Sequence, residues 1–280
     1  MTDDERPRPL IGHRSPVTGR RSPVAGRRDL WWPLSLPLLV FLALPLAALL
    51  IRSSPEQLWL NLTLPVVYQA ISLSLFTSTM ATAVTIILGT PLAFLMARRQ
   101  FPLKRVIDTL IDLPTVLPPA VAGVALLMAF GRRGIAGGLL EAVGIDIAFT
   151  QAAVIMAQTF IAAPLYLKSA VTGFAAVEPE LEQSAALDGA SEWNIFRHVT
   201  IPLSRRALLS GAVLTWARAL GEFGATIIFA GNFPGRTQTM PLAIYIGFEL
   251  DLDVALTLSV ILMGLSFLTL ILVKLLFQRE

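Results

Sequence analysis

Long apolar runs separated by short polar stretches organise this chain. Residues 31–51 make the first run, and residues 57–97 follow without a single charged side chain. About 20 residues suffice to cross a hydrocarbon core of about 30 Å, so 57–97 is too long for one helix. It reads as an interfacial entry near 59–65 and a second span at about 67–97. Further runs at 106–130, 147–174, 205–231 and 254–273 bring the number of predicted spans to six. The interruptions are a basic loop (Arg98, Arg99, Lys104, Arg105), a glycine-rich loop at 131–146 containing the amphipathic piece GLLEAVGI, and a turn-rich stretch at 232–250. The expected fold class is therefore all-α and polytopic.

Composition agrees: 55% of the 280 residues are apolar and 15% charged, outside the range of an ordinary globular domain. With no cysteine, disulfides and thiolate metal sites are excluded. Residues 1–29 differ from the rest: seven arginines, several prolines and an imperfect tandem repeat, RSPVTGR then RSPVAGR. Such a segment lacks the apolar surface to fold and reads as a disordered, solvated basic tail. Placing cations on either side of the spans sets the orientation. One side collects the tail arginines, the 98–105 cluster, Lys168, Arg197, Arg205, Arg206, Lys274 and Arg279; the other holds Arg52, Arg132, Arg133 and Arg236. The positive-inside rule then puts both termini and the stretch between spans four and five in the cytoplasm.

That stretch, PELEQSAALDGASEWNIFRHVTIP at 179–202, is polar and helical on both sides of Gly189. Ser191 is placed to cap the restarted helix, and Trp193, Phe196 and Val199 share one face. Pro202 is expected to stop the helix, because proline cannot continue it. A helix–Gly–helix knob with an apolar edge suits docking into another protein's groove. The bland reading is a surface hairpin between spans.

Two spans carry polar or helix-breaking residues. Pro114, Pro118 and Pro119 interrupt span three, either as a bend lining a pathway or as a packing kink. In span five, Ala217, Gly221 and Ala225 recur every fourth residue, a stripe suited to helix packing or to lining a path. Arg218 and Glu222 share a face and are expected to pair, since each charge at that depth costs at least about 2.5 kcal/mol on insertion scales. Thr115, Thr226, Gly224 and freed backbone amides are the remaining pathway candidates. Asp108 and Asp112 read as interfacial residues beside Lys104 and Arg105. His13 and His198 have no ligand-type neighbours in sequence.

The 179–202 pattern resembles the cytoplasmic coupling loop of ABC-transporter permeases: Glu-Ala-Ala, three residues, Gly, later a Phe and Leu-Pro. Counting back from Gly189 places Gln183, Ser184 and Ala185 on the Glu-Ala-Ala positions, with Glu182 one place early and Ile201-Pro202 for Leu-Pro. Together with DLPTVLPPAVAGVALLMAFGRRG and RALGEFGATIIFAGNFPGRTQTMPLAIY, the chain resembles the permeases of molybdate importers and of their tungstate and sulfate relatives, over about 60–275. The resemblance implies a permease body at 30–280 with a coupling loop at about 178–204. It implies a homodimer in the bacterial or archaeal cell membrane, two cytoplasmic ATPase subunits and an extracytoplasmic oxyanion-binding protein. Glu182, Gln183, Ser184, Ala185, Gly189, Ala190, Trp193, Phe196 and Pro202 would meet the ATPase. ATP and magnesium would sit on that partner, since this chain has no G-x-x-x-x-G-K-[ST] loop. This chain would then be non-catalytic, with no cofactor of its own and no nucleic-acid partner. A secondary transporter or a membrane scaffold are the competing classes. The first leads one to expect a repeat of spans, and the second has no use for mid-span prolines.

Overall fold

The computed structural model describes residues 31–277, and the chain divides into two units, 1–48 and 49–280. The expected disordered tail lies outside the described residues. Helix α1 (Trp31–Arg52) carries Pro37 and Pro45 within an otherwise continuous apolar helix.

Among the described residues of the second unit, every regular element is a helix. Helices α2 (Pro55–Leu62) and α3 (Pro65–Arg98) each open on a proline, which loses nothing at a first-turn position. Helix α4 (Lys104–Val116) is followed by α5 (Pro119–Phe130), the short α6 (Gly137–Ala142) and α7 (Gln151–Ala175). Helices α8 (Pro179–Leu187) and α9 (Glu192–Ile195) form the knob. Then come α10 (Ile201–Leu220), α11 (Gly224–Ala230), α12 (Met240–Leu250) and α13 (Leu252–Phe277).

At the centre, α3, α7 and α10 pack through small residues. Lipid offers no hydrophobic drive between helices, so close backbone approach and interhelical hydrogen bonds must hold them. A Cβ on Gly173 would lie 2.5 Å from that of Ala207, and one on Gly211 2.7 Å from that of Ser169. Ser169 Oγ donates to the Ala207 carbonyl at 2.6 Å, Ser204 Oγ to that of Gly173 at 3.1 Å, and Thr215 Oγ1 to that of Ala162 at 3.3 Å. Thr82 and Thr85 turn back onto the carbonyls of Ser78 and Ala81, so their hydroxyls are satisfied without separating the helices.

Helices α1, α3, α7 and α13 are each long and apolar enough to cross a membrane. The third span is broken at its prolines, as expected, and the fifth, expected as one continuous helix, is broken too. Helices α4 and α5 meet at 119°, and the stretch from Glu192 to Leu220 meets α11 at 60°. Two adjacent prolines explain the first break: Leu117 and Pro118 are extended, as a residue before proline prefers, and Pro119 opens the next helix. The second break removes the expected single stripe, because Gly221 ends α10 while Ala225 belongs to α11.

The 232–250 stretch, expected to be turn-rich, makes a turn and then helix α12. Its turn is interior, with Thr237, Thr239 and Met240 fully buried, and Met240 N–H donates to Ser74 Oγ at 2.7 Å. Helix α12 then packs with α3 and α13 around Val67, Ala70, Leu220, Met240, Ala243 and Leu258. In the 131–146 loop, the hydrogen bonds that the exposed Arg132 guanidinium donates to the Asp146 carboxylate hold its pKa above the usual value.

Candidate functional site

The knob begins where α8 ends in a glycine turn. Gly189 has φ +87°, and its N–H bonds the Ala186 carbonyl while Ala190 N–H bonds that of Ala185. This Schellman arrangement satisfies carbonyls that a helix end leaves free. Nothing lies within 4 Å of a would-be Gly189 Cβ, so the glycine is demanded by backbone conformation and not by space. Ser191 caps α9, its Oγ accepting from Asn194 N–H at 3.4 Å.

Pro202 does not end the helix, contrary to expectation. The chain passes from α9 through a π turn at Phe196–Thr200 into α10, with Ile201 N–H bonded to the Phe196 carbonyl. Proline has no N–H to donate, and a π turn shifts the pairing by one residue, so Pro202 sits in the first turn of α10 without breaking the path. The knob is thus rigidly continuous with a spanning helix.

A charged clasp holds the knob to the end of α3. Arg98 donates through Nη2 to Glu182 Oε1 at 2.7 Å, and through both terminal nitrogens to the Val177 carbonyl at 3.2 Å. Thr200 Oγ1 donates to the same Glu182 oxygen at 2.6 Å. Glu182 is therefore tied to both Arg98 and Thr200, with its side chain 20% exposed. Phe196, the first residue of the π turn, meets Phe94 edge-on (4.9 Å between centroids) and Phe174 at a tilt (6.1 Å), anchoring the knob against α3 and α7. What the knob presents outward is Gln183, Ser184, Leu187, Asp188 and Trp193, with Leu187 89% and Trp193 65% exposed. Ala185 and Ala190 lie half-buried beneath them.

The two breaks form a second constellation. Gly224 opens α11 against Pro119, whose Cβ would lie 2.6 Å from a Cβ there; a Cβ on Gly123 would meet the Ala225 carbonyl and Ile228 at 2.8 Å. Two glycines thus let the half-helices α5 and α11 touch, over a floor of Ala153, Val154, Ala157 and Ile161 from α7. Arg218 and Glu222 pair at 2.8 Å as expected, but Glu222 lies beyond the helix end. Its second oxygen accepts from Ala225 N–H at 2.9 Å, so this carboxylate, 1% exposed, caps the N-terminus of α11. Thr226 is fully buried with an unpartnered hydroxyl. Thr115, Pro118, Pro119 and Gly221 are exposed, with Thr115 Oγ1 donating to the Asp112 carbonyl at 2.6 Å.

Asp108 and Asp112 pair with Lys168 of α7, at 2.7 and 2.9 Å, and not with Lys104 and Arg105. Sequence reasoning missed this bridge, the Arg98 clasp and the Gly123 contact, because each partner lies far along the chain. Arg98 was legible only as a member of a basic loop.

Over residues 89–280 the chain matches the family described as binding-protein-dependent transport system inner membrane component. The chain belongs to this family. Among curated relatives of this inner membrane component, the molybdenum transport system permease protein ModB of Mycobacterium tuberculosis is 45% identical, across 80% of this chain and 85% of the relative. The probable sulfate transport system permease protein cysT of Chlorokybus atmophyticus is 36% identical over 76% of each. A crystal structure of the bacterial alginate ABC transporter, in complex with its alginate pentasaccharide-bound periplasmic protein, matches with a TM-score of 0.67 at 15% identity. It covers 89% of this chain and 91% of that one. The inner membrane component thus shares the fold of ABC importer permeases.

Proposed function

We propose that this chain is the permease of an ATP-driven molybdate importer. It works as a homodimer, receives the oxyanion from an extracytoplasmic binding protein, and is driven by two cytoplasmic ATPase subunits that carry ATP and magnesium. Residues 30–280 form the permease, with both termini and the knob in the cytoplasm and 1–29 as a basic tail. The observation that carries this reading is the knob: a capped, clasped helix pair continuous with α10, presenting Trp193 and Leu187 to a partner. Displacement of the knob by the ATPase is transmitted along α10 to the Arg218–Glu222 break, where α11 meets α5. There Arg218, neutralising the buried carboxylate, keeps the path from repelling an anion. Thr115, Pro118, Pro119, Gly221, Gly224 and Thr226 are the pathway surface or its packing. Molybdate is supported by the name and identity of the mycobacterial relative.

The test is uptake of labelled molybdate into proteoliposomes holding this chain, its ATPase and its binding protein, with tungstate and sulfate as competitors. Uptake needing all three components, blocked by tungstate and weakly by sulfate, is expected. Uptake without the ATPase overturns the coupling role. Preference for sulfate, the cargo named for the Chlorokybus relative, retains the machine and changes the cargo.

A further inference from the structure

Beside the Arg98 clasp, α3, its connection to α4 and α7 enclose a pocket of about 610 Å³. Gln100, Phe101, Lys104, Arg105, Asp108 and Val171 are among the residues lining it. Its one carboxylate, Asp108, is already engaged by Lys168 at 2.7 Å. Lys104 turns its Nζ to the Arg99 carbonyl at 3.3 Å, a bond that leaves its charge uncompensated, and Arg105 has no ion pair. The lining is therefore net cationic. The rest of its lining is largely apolar, with Phe101, Pro102, Val171 and Ala175 beside the two cations and Pro102 and Ala175 exposed. Cations at the end of spanning helices, next to exposed aliphatic side chains, sit where the headgroup and acyl regions of a bilayer meet.

We propose that this pocket binds the phosphate headgroup of an anionic phospholipid, with Lys104 and Arg105 on the phosphate and the apolar lining of Phe101, Pro102, Val171 and Ala175 against its acyl chains. A free phosphate would use the two cations but would leave the apolar lining uncovered, so a lipid accounts for both halves of the site. The pocket lining includes Ala97, the neighbour of Arg98, whose guanidinium holds the knob, so occupancy braces the α3 end of the clasp. The leaflet assignment rests on the cytoplasmic orientation proposed above; the binding itself does not.

The experiment is native mass spectrometry of the purified full-length chain with phosphatidylglycerol, with phosphatidylcholine and with inorganic phosphate, on wild type, K104Q/R105Q and R99Q. Arg99 carries the same charge nearby but does not line the pocket. Retained phosphatidylglycerol is expected in wild type and R99Q. At about fivefold per charge, binding in K104Q/R105Q falls about 25-fold. Inorganic phosphate does not displace the lipid. Equal loss in R99Q means diffuse attraction and overturns the site, as does full retention in K104Q/R105Q. Displacement by inorganic phosphate makes it a soluble-anion site and overturns the lipid assignment. Association of the ATPase with wild type but not with K104Q/R105Q, lipid retention being equal in both, assigns the pocket to the partner protein instead. No step uses molybdate, so failure of the cargo reading leaves these outcomes interpretable. Thermal melting of each variant in detergent verifies folding.

Discussion

The knob and the apposed breaks are both places where the chain abandons a continuous spanning helix, and they solve the same backbone problem differently. In the knob, Gly189 and Ser191 satisfy the helix ends locally, and its surface tolerates exposed Leu187 and Trp193. At the breaks, the backbone is closed by the buried Glu222 on Ala225 N–H, with the part-exposed Arg218 on Glu222. The knob is therefore built to be touched, while the break is built to be complete. Hydrogen bonds that water can replace are worth about 1 kcal/mol, whereas removing one member of a buried charged set strands its partners at several times that.

Glu222→Ala sharpens this contrast most. It leaves Arg218 without its partner and Ala225 N–H without an acceptor, and is expected to lose about 3 kcal/mol, read as a large fall in melting temperature and in folded yield. The double change Arg218→Met with Glu222→Gln removes the charge imbalance and is expected to recover much of that loss. Transport and folding unchanged in both variants would refute a structural role for the pair. Gly123→Leu forces a side chain into the α5–α11 contact and is expected to cost about 1–3 kcal/mol by overpacking, with Gly138→Leu, in open space, as the neutral control.

At the knob the expected stability effects are smaller and the functional ones larger. Arg98→Gln weakens the clasp by about 1.5 kcal/mol, so hydrogen exchange across residues 178–204 should rise about tenfold with little change elsewhere. Gly189→Ala imposes a left-handed conformation on a residue with a Cβ and is expected to cost about 1 kcal/mol without a steric clash. Trp193→Ala should change the melting temperature least, within about 0.5 kcal/mol, yet weaken ATPase binding at least tenfold in a pull-down titration. Unaltered ATPase binding there would remove Trp193 from the docking face.

Much of this was legible in one dimension. The six apolar runs follow from the bilayer's demand for long uncharged segments, and the Gly189 turn and Ser191 cap follow from local backbone chemistry that needs no distant partner. Pairing of Arg218 with Glu222 was legible because four residues is one helical turn. The sharpness of the bends was not, since hydropathy records which residues are apolar and not the direction the chain takes through them. Pro202 misled for a related reason: the rule that proline stops helices concerns its missing donor, and a π turn one residue earlier makes that donor unnecessary.

The sequence by itself determined that this chain spans a membrane, where its polar knob lies, and which residues turn and cap it, because these depend on solvent preference and on bonds within a few residues. Only the tertiary structure decided that Glu182 is tied to Arg98 and Thr200, that Lys168 takes both aspartates, and that Gly123 and Gly224 bring two broken spans together. Those contacts join residues up to 105 positions apart, as with Gly123 and Ile228, and no local preference selects among partners at that separation. Packing selects them, because in a hydrocarbon solvent every buried polar group must find another within reach.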